Sequence, residues 1–339
     1  MRLLSLCLCL GFLLPIGALA ATLPPISQRG LKTSRAVLSA TDDYNGRLLT
    51  FALSLEELAL AFYNSSLSQF SPGHFNSDGY ASHVRRGYER IQATTQAHVD
   101  YLTSELTSLG DLDALGSCDY GFSINSTRQF IDMSEAIHAL AVSTYTGTLR
   151  HIHTSKYKTA FGSMLGLEAR YATWISTTVK NQDLWNSPFE SPLTLNDTWT
   201  VAGLYVTSCP PGTNPAEIFP QNLVDWPVLT IPHTVNPGDS ISLSFNDTLH
   251  TVTPGKPLHA AFLVGSGAIT APLTTGINGY SVTVPQSLGG RGAVWVKVIQ
   301  GGSLEITDSN MVAGPALMIM PSQDRTGNHV KIVDNTLSW

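Results

Sequence analysis

Residues 48–63, which read LLTFALSLEELALAFY, are the most informative segment of this chain. Their apolar residues recur every three to four positions, the spacing of an amphipathic helix with one buried face. Glu56 lies on the line of that face, whereas Glu57 lies on a line of polar residues and is expected to face solvent. A carboxylate directed into a core is costly unless it is paired, protonated or bound to a metal ion. The fold is therefore expected to bring partners to Glu56 from other helices.

Three further segments, at about residues 83–109, 127–146 and 156–179, have the same helical periodicity. Their apolar faces also carry side chains that bind metal ions or form strong hydrogen bonds. These residues are Thr95, His98, Glu135, His138, Glu168 and Tyr171. A Glu and a His three positions apart share one face of a helix, so Glu135 and His138 are expected to point the same way.

The connection between the second and third helices is long, with sixteen residues from 110 to 125. An extended chain of this length reaches about 50 Å, whereas helices of this size are roughly 30–38 Å long. One long crossover with shorter connections elsewhere is the arrangement of ferritin-like four-helix bundles.

The composition changes after residue 181. Residues 184–225 contain six prolines and are predicted to form an irregular linker. From residue 226 onward, short runs of alternating apolar residues are separated by Pro-Gly, Gly-Gly and Asn-Gly, which is typical of an antiparallel β-sandwich. The last predicted strands lie at residues 293–299, 304–306 and 316–320. We therefore predict an α+β multidomain chain with a signal peptide at 1–20, an extended leader at 21–41, a four-helix bundle at 42–183, a Pro-rich linker at 184–225 and a β-sandwich domain at 226–339.

The first twenty residues indicate export. One Arg, an apolar core and Ala-Leu-Ala predict a secretory signal cleaved after Ala20. The mature chain keeps Cys118 and Cys209, for which a disulfide is expected in an oxidising compartment, with two buried free thiols as the alternative. Four Asn-x-Ser/Thr sequons are predicted glycosylation sites, namely Asn64, Asn125, Asn196 and Asn246. No membrane anchor is expected, because the apolar run at 311–321 is too short to span a bilayer.

Charged residues make up only 13% of the chain, and the formal net charge is −6. This composition carries no basic footprint for nucleic acid, so nucleic acid is excluded as a partner. Low charge also makes each carboxylate on an apolar stripe more informative.

Three segments resemble a known family. FALSLEELALAFYN (51–64), YERIQATTQAHVDYL (88–102) and SMLGLEARYATWI (163–175) look like the ferritin-like domain of secreted fungal stress-response proteins of the Rds type, which are related to plant desiccation-related proteins. The likeness continues through YVTSCP at 205–210. It implies a secreted ferritin-like bundle with a β-rich C-terminal domain and a role in stress or nutrient response.

The metal-binding pattern that this resemblance implies is incomplete. A dimetal bundle site takes a Glu from each of two helices and a Glu-x-x-His from each of the other two. Glu56 and Glu135 fill the single-Glu positions. The second helix has Thr95 in place of the acid before His98, and the fourth has Tyr171 in place of the His after Glu168. A full dimetal site is not expected, because neutral hydroxyls cannot offset the charge of two divalent ions.

Two other interpretations of the inward polar residues stay open. One is a hydrogen-bonded polar core without metal. The other is a single Fe, Mn or Zn ion held by Glu56, His98, Glu135 and Glu168, with His138 as a stand-in ligand.

These interpretations lead to three predictions of function. The first is a secreted, glycosylated stress-associated protein with a degenerate carboxylate/His site and no turnover, and hence no catalytic residue. The second is a mononuclear metal-dependent oxidoreductase. The third is a module in which the β domain binds cell-wall polysaccharide.

Overall fold

The computed structural model describes residues 40–110, 117–182, 187–210, 223–246, 252–276, 279–302 and 305–320. The predicted signal peptide and nearly all of the predicted leader lie outside these residues. Four long helices make up the N-terminal part: α1 (Ala40–Gln69), α3 (Ser82–Leu109), α4 (Thr127–Thr148) and α5 (Ser155–Trp174), with a short α2 (Pro72–Ser77) between the first two. We call residues 40–182 the helical region.

The helices begin and end where local chemistry dictates. The Ser126 hydroxyl accepts the Gln129 N–H at 3.2 Å and caps the start of α4. Gly110 ends α3 with φ of 78°, a left-handed conformation that suits glycine. Helix α1 pairs mainly with α3, and α4 pairs mainly with α5. Apolar side chains from all four helices join one hydrophobic core.

The predicted helix at 156–179 changes type near its end. It is α-helical as far as Trp174 and continues as a π-helix at Ile175–Val179. Such π-turns are rare and redirect the side chains that follow them.

The crossover is fastened to a later part of the chain. The strand β1 (Asp119–Tyr120) pairs antiparallel with β2 (Val206–Ser208). Next to this pair, Cys118 and Cys209 form the predicted disulfide, which confirms that expectation.

The prediction of an irregular linker at 184–225 was wrong for its centre. Helix α6 (Leu195–Ala202) lies there, and the Thr194 hydroxyl and the Asp197 carboxylate form a reciprocal capping box at its start. Trp199 and Val201 of this helix are buried. The prolines that suggested an irregular segment all lie outside these eight residues.

The C-terminal part consists of two antiparallel sheets. A three-stranded sheet has the order β3-β7-β6, and a four-stranded sheet has the order β5-β4-β8-β9. The strands are β3 (Ser240–Leu243), β4 (Leu258–Val264), β5 (Gly267–Pro272), β6 (Thr274–Gly276), β7 (Gly279–Thr283), β8 (Gly292–Gln300) and β9 (Met311–Met320). The α+β class is therefore confirmed. Of the strand predicted at 304–306, residue 304 is outside the described residues, and the other two residues lie in no strand.

Each face of the four-stranded sheet is buried. One face shares a hydrophobic core with the three-stranded sheet. The other face packs on the helical region, where Trp295, Leu317 and Ile319 join the helical core. The Trp295 indole donates a hydrogen bond to the Ser143 hydroxyl of α4 at 2.8 Å. The helical region and the four-stranded sheet thus share one hydrophobic core.

None of the helices in the described ranges combines the length and apolarity needed to cross a membrane.

Candidate metal centre

Three helices direct one side chain each to a common point. Glu56 of α1 and Glu168 of α5 are 4% and 2% exposed, and His98 of α3 is half-buried. His98 Nδ1 lies 3.3 Å from Glu56 Oε2 and 3.9 Å from Glu168 Oε1. One nitrogen and two oxygens, one from each residue, all lie within 4.8 Å of one another.

This donor set fits a single transition-metal ion. Nitrogen and oxygen ligands bound at about 2.0–2.2 Å to one ion lie roughly 3–3.5 Å apart, close to the distances between His98 and the two carboxylates. Two carboxylates and one imidazole are suited to Fe, Mn or Zn. A divalent cation would also offset the two buried negative charges.

The electrostatics of the site shows how unfavourable a bare carboxylate is at Glu56. Burial raises the pKa of Glu56, and the charge of Glu168 adds to this, while a hydrogen bond with His98 opposes it. Burial alone would lower the pKa of His98, but its hydrogen bond to Glu56 and the charges of both carboxylates outweigh burial and raise it. Glu56 and His98 therefore both favour a proton, as expected where a cation is needed.

Helix α4 supplies no member of this group of three, but its side chains contact the second oxygen of each carboxylate. We call these two atoms, Glu56 Oε1 and Glu168 Oε2, the outer oxygens. The Tyr145 hydroxyl donates to Glu56 Oε1 at 2.5 Å. His138 Nδ1 lies 2.5 Å from Glu168 Oε2, and Tyr63 Oη lies 2.6 Å from His138 Nε2. With an ionised Glu168, these contacts place the imidazole proton on Nδ1 and make Nε2 the acceptor for Tyr63. Each carboxylate thus keeps only one oxygen for His98 and an ion.

Glu135 is engaged elsewhere. Its two oxygens accept from the Ser176 hydroxyl at 2.8 Å and from Lys180 Nζ at 2.7 Å. Lys180 also contacts Asp132 at 2.6 Å. Burial would lower the pKa of Lys180, but the two carboxylates raise it, so the ammonium stays charged. Ser176 and Lys180 come from the π-helix and the residue after it, and the group of three does not include Glu135.

The two degenerate positions take no part in the group. Thr95 is buried, and its hydroxyl donates to the Ile91 carbonyl of its own helix at 3.1 Å. The ring of Tyr171 packs edge-on against His138, with centroids 5.3 Å apart.

Glu57 does not lie on the solvated face that the sequence predicted. It is half-buried, and burial raises its pKa to about 7, while a hydrogen bond with Ser117 of the crossover opposes the shift. The crossover covers this face of α1, which periodicity along α1 cannot show.

Sequence reasoning did not assign a role to Tyr63 or Tyr145. Both lie on the apolar stripes that carry Glu56 and His138, so their inward direction was available from the periodicity. Their roles depend on contacts between helices, for which a single stripe gives no signal.

The four sequons differ in accessibility. Asn64, Asn125 and Asn246 are exposed. Asn196 is half-buried, its Oδ1 accepts the Val224 N–H at 3.0 Å, and its Nδ2 donates to Asp308 at 3.3 Å. A glycan on Asn196 would have to replace the Nδ2 contact.

Comparison with known proteins found a family match for the helical part of the chain. Residues 45–181 match the family model described as a ferritin-like domain. This range contains the whole candidate centre and the four long helices, except for the start of α1 before residue 45. A search of curated proteins found no match. Residues 45–181 are therefore a ferritin-like domain.

Proposed function

We propose that this protein is a secreted, glycosylated stress- or nutrient-response protein. Its ferritin-like domain is a four-helix bundle, and a β-sandwich domain follows it. The bundle holds one transition-metal ion at Glu56, His98 and Glu168. The convergence of these three donors within 4.8 Å carries the proposal. The resemblance to secreted fungal stress-response proteins supports the biological role, and the signal-like first twenty residues, the disulfide and three exposed sequons support export.

The hydrogen bonds around the site favour one ion over two. In a dimetal centre the carboxylates use both oxygens to bridge or chelate the ions. Here Tyr145 and His138 occupy the outer oxygens of Glu56 and Glu168. Glu135, which would be needed for a second ion, is neutralised by Lys180. The chain therefore retains one compact set of ligands.

Bound at this site, an Fe, Mn or Zn ion would supply Lewis acidity or, for Fe and Mn, redox chemistry. The residues of the chain position that ion. Tyr145 and His138 fix the rotation of each carboxylate, and Tyr63 fixes the ring of His138.

Elemental analysis of the secreted protein, purified without chelator or refolding, tests this proposal. We expect about one equivalent of Fe, Mn or Zn, which is lost in Glu56→Gln/Glu168→Gln and retained in Glu89→Gln, a control on the exposed face of α3. Two equivalents would contradict a mononuclear site. A folded protein without metal would contradict the proposal and leave a hydrogen-bonded polar core.

A metal-dependent oxidoreductase is the second candidate function. A small apolar cavity lined by both Glu56 and Glu168 favours it, because dioxygen needs room beside the ion. In this case His98→Ala should abolish both metal binding and oxygen consumption. Oxygen consumption that survives this substitution would reject an oxidoreductase at this site.

Binding of cell-wall polysaccharide has less support. Trp295 and Phe262 are buried and unavailable to a glycan. Phe245 and Tyr280 are half-buried and stack on each other, with centroids 4.9 Å apart. A pull-down on insoluble glucan with Tyr280→Ala as the variant would test this surface, and equal retention of wild type and variant would reject it.

A further inference from the structure

A polar cavity of about 60 Å³ lies where α4, α5 and the π-helix meet β8 and the segment that leads to α6. Its deepest lining includes the buried side chains of Glu135, Ser143, Ser176 and Ser191. Four alanines and a valine make up its apolar lining. No member of the group of three lines this cavity, so it is separate from the candidate metal centre.

Two buried serine hydroxyls can each donate a hydrogen bond into this cavity. Ser143 Oγ accepts the indole N–H of Trp295 at 2.8 Å, and Ser191 Oγ accepts the backbone N–H of Gly265 at 2.9 Å. Within the described part of the chain, neither hydroxyl donates a hydrogen bond in turn. The two serines are only 4% and 8% exposed. A buried hydroxyl that only accepts leaves its proton unsatisfied, so each serine requires an acceptor in the cavity.

Two carboxylates, of Glu135 and Glu190, supply acceptors in the same cavity. Lys180 Nζ lies 2.7 Å from Glu135 Oε2 and offsets the charge of this carboxylate, so the cavity needs no further cation at this point. The four lone-pair sites of a carboxylate leave Glu135 able to accept from a ligand in addition to Ser176 and Lys180. The cavity therefore both donates and accepts hydrogen bonds.

The cavity is formed before any ligand binds. The Leu193 N–H donates to the Ser143 carbonyl at 3.0 Å, which fixes the covering segment to α4. Thr173 is exposed and Glu190 is half-buried, and together they mark the mouth of the cavity. A water molecule needs about 10–15 Å³ on the same measure, so the cavity holds about four to six atoms of that size, roughly one molecule of glycerol.

We propose that this cavity binds a small neutral polyol of about the size of glycerol. Hydroxyl groups of the ligand accept from Ser143 and Ser191, and they donate to the two carboxylates. An ammonium ion could not accept from the serines, and an anion would lie beside the carboxylate of Glu190. The alanine side chains contact the C–H groups of the ligand. This binding site goes beyond the proposed function, because it shares no residue with the group of three.

Saturation-transfer NMR with glycerol and the full secreted protein tests the proposal. We expect saturable binding that weakens about three- to tenfold in Ser143→Ala and in Ser191→Ala, the loss that corresponds to one hydrogen bond. Ser134→Ala is the matched control, since Ser134 is a buried serine of α4 that does not line the cavity, and it should bind glycerol as the wild type does. No saturable binding, or wild-type affinity in both folded serine variants, would overturn the proposal and leave the cavity to water.

A different kind of variant covers the case in which the serine variants do not fold. Ala172 is half-buried and lines the cavity, so Ala172→Leu fills part of it and should abolish glycerol binding. Ala160→Leu is the matched control, because Ala160 is a half-buried position of α5 outside the cavity, and it should retain binding. A folded Ala172→Leu that binds glycerol as tightly as the wild type does would overturn the proposal.

Removing hydroxyl groups from the ligand tests the polar contacts from the other side. Propane-1,3-diol and 1-propanol keep the carbon chain of glycerol but carry fewer hydroxyl groups. Affinity for the wild type should fall about three- to tenfold with each hydroxyl that is removed. Affinity that stays equal or rises along this series would overturn the proposal, because it would show that the molecule binds through its apolar groups.

Discussion

Glu57 is expected to make the stability of the protein depend on pH. Its pKa is about 7 in the folded protein and 4.5 as an ordinary Glu, so the folded state binds the proton more tightly. Stability contributed by this group is therefore lost as pH rises from about 4.5 to about 7. We expect Glu57→Gln to raise the free energy of unfolding at pH 8 by about 1–2 kcal/mol more than at pH 4.5, allowing for partial solvent screening.

Urea unfolding of wild type and variant at both pH values measures this effect. An equal effect of Glu57→Gln at pH 4.5 and pH 8 would contradict the burial of a protonated carboxyl.

Tyr145 is expected to control metal affinity without being a ligand. Its hydroxyl donates to the outer oxygen of Glu56, and loss of such an orienting contact typically weakens metal binding 10- to 100-fold. Chelator competition with Zn²⁺ would measure this loss in Tyr145→Phe. Tyr157→Phe is a matched control on α5, because Tyr157 lies outside the hydrogen-bond network of the centre. Equal zinc affinity in Tyr145→Phe and wild type would show that the contact has no orienting role.

The sequence could direct the candidate ligands inward because inward direction is a local property of a helix. The periodicity of each helix alone placed Glu56, His98 and Glu168 on buried faces. It also placed Glu135 there, but it could not show that Lys180 reaches Glu135 from beyond the π-helix. The sequence could not show which side chains from distant segments contact the residues of the site.

At the scale of elements, α6 is fixed to β8 by a buried ion pair. Lys297 Nζ lies 2.7 Å from Asp197 Oδ2, and both residues are buried. The same carboxylate oxygen accepts the Thr194 N–H at 2.8 Å and caps α6. Lys297→Met leaves this carboxylate buried without its cation, so we expect a loss of about 3–5 kcal/mol in the free energy of unfolding.

A double variant serves as the control for this pair. Asp197→Asn/Lys297→Met removes both charges and should recover most of the loss, as measured by denaturant unfolding. If the double variant is as unstable as Lys297→Met alone, packing rather than charge accounts for the effect.

The disulfide closes a loop between residues 91 positions apart. Such a crosslink limits the unfolded chain, and we expect Cys118→Ser/Cys209→Ser to lose about 3–5 kcal/mol of stability. Reductant should lower the unfolding midpoint of the wild type to that of the variant. A midpoint insensitive to both changes would mean that β1 and β2 hold the crossover without the covalent bond.

Elements were predicted well where periodicity extended over several turns. The bounds of α3, α4 and α5 were predicted to within a few residues. Short elements such as α2, α6 and β6 were missed, because six to eight residues or fewer contain too little of a repeat to be distinguished from a loop.

At the scale of the whole molecule, helices and sheets should unfold together. Trp295, Leu317 and Ile319 of the four-stranded sheet belong to the helical core, so separating the two parts would expose them to water. We expect calorimetry to show one transition whose calorimetric and van't Hoff enthalpies agree. Two separate transitions would contradict a shared interior.

The sequence predicted the two kinds of structure but treated them as separate domains joined by a linker. The docking depends on which face of each strand meets α4. Alternation within β8 and β9 could not show this, because both faces of their sheet are buried and the strands are nearly continuous in apolar residues.

Helix α4 has 18 of its 22 residues buried, since other helices cover one side and α6 and the sheet cover the other. Its backbone amides should therefore exchange with deuterium more slowly than those of α3, which has an exposed face. Among related sequences, α4 should also accept fewer substitutions than the other long helices, because hardly any of its positions can change without a neighbour changing too. The helix that contributes no member to the group of three should thus be the slowest of the long helices to diverge.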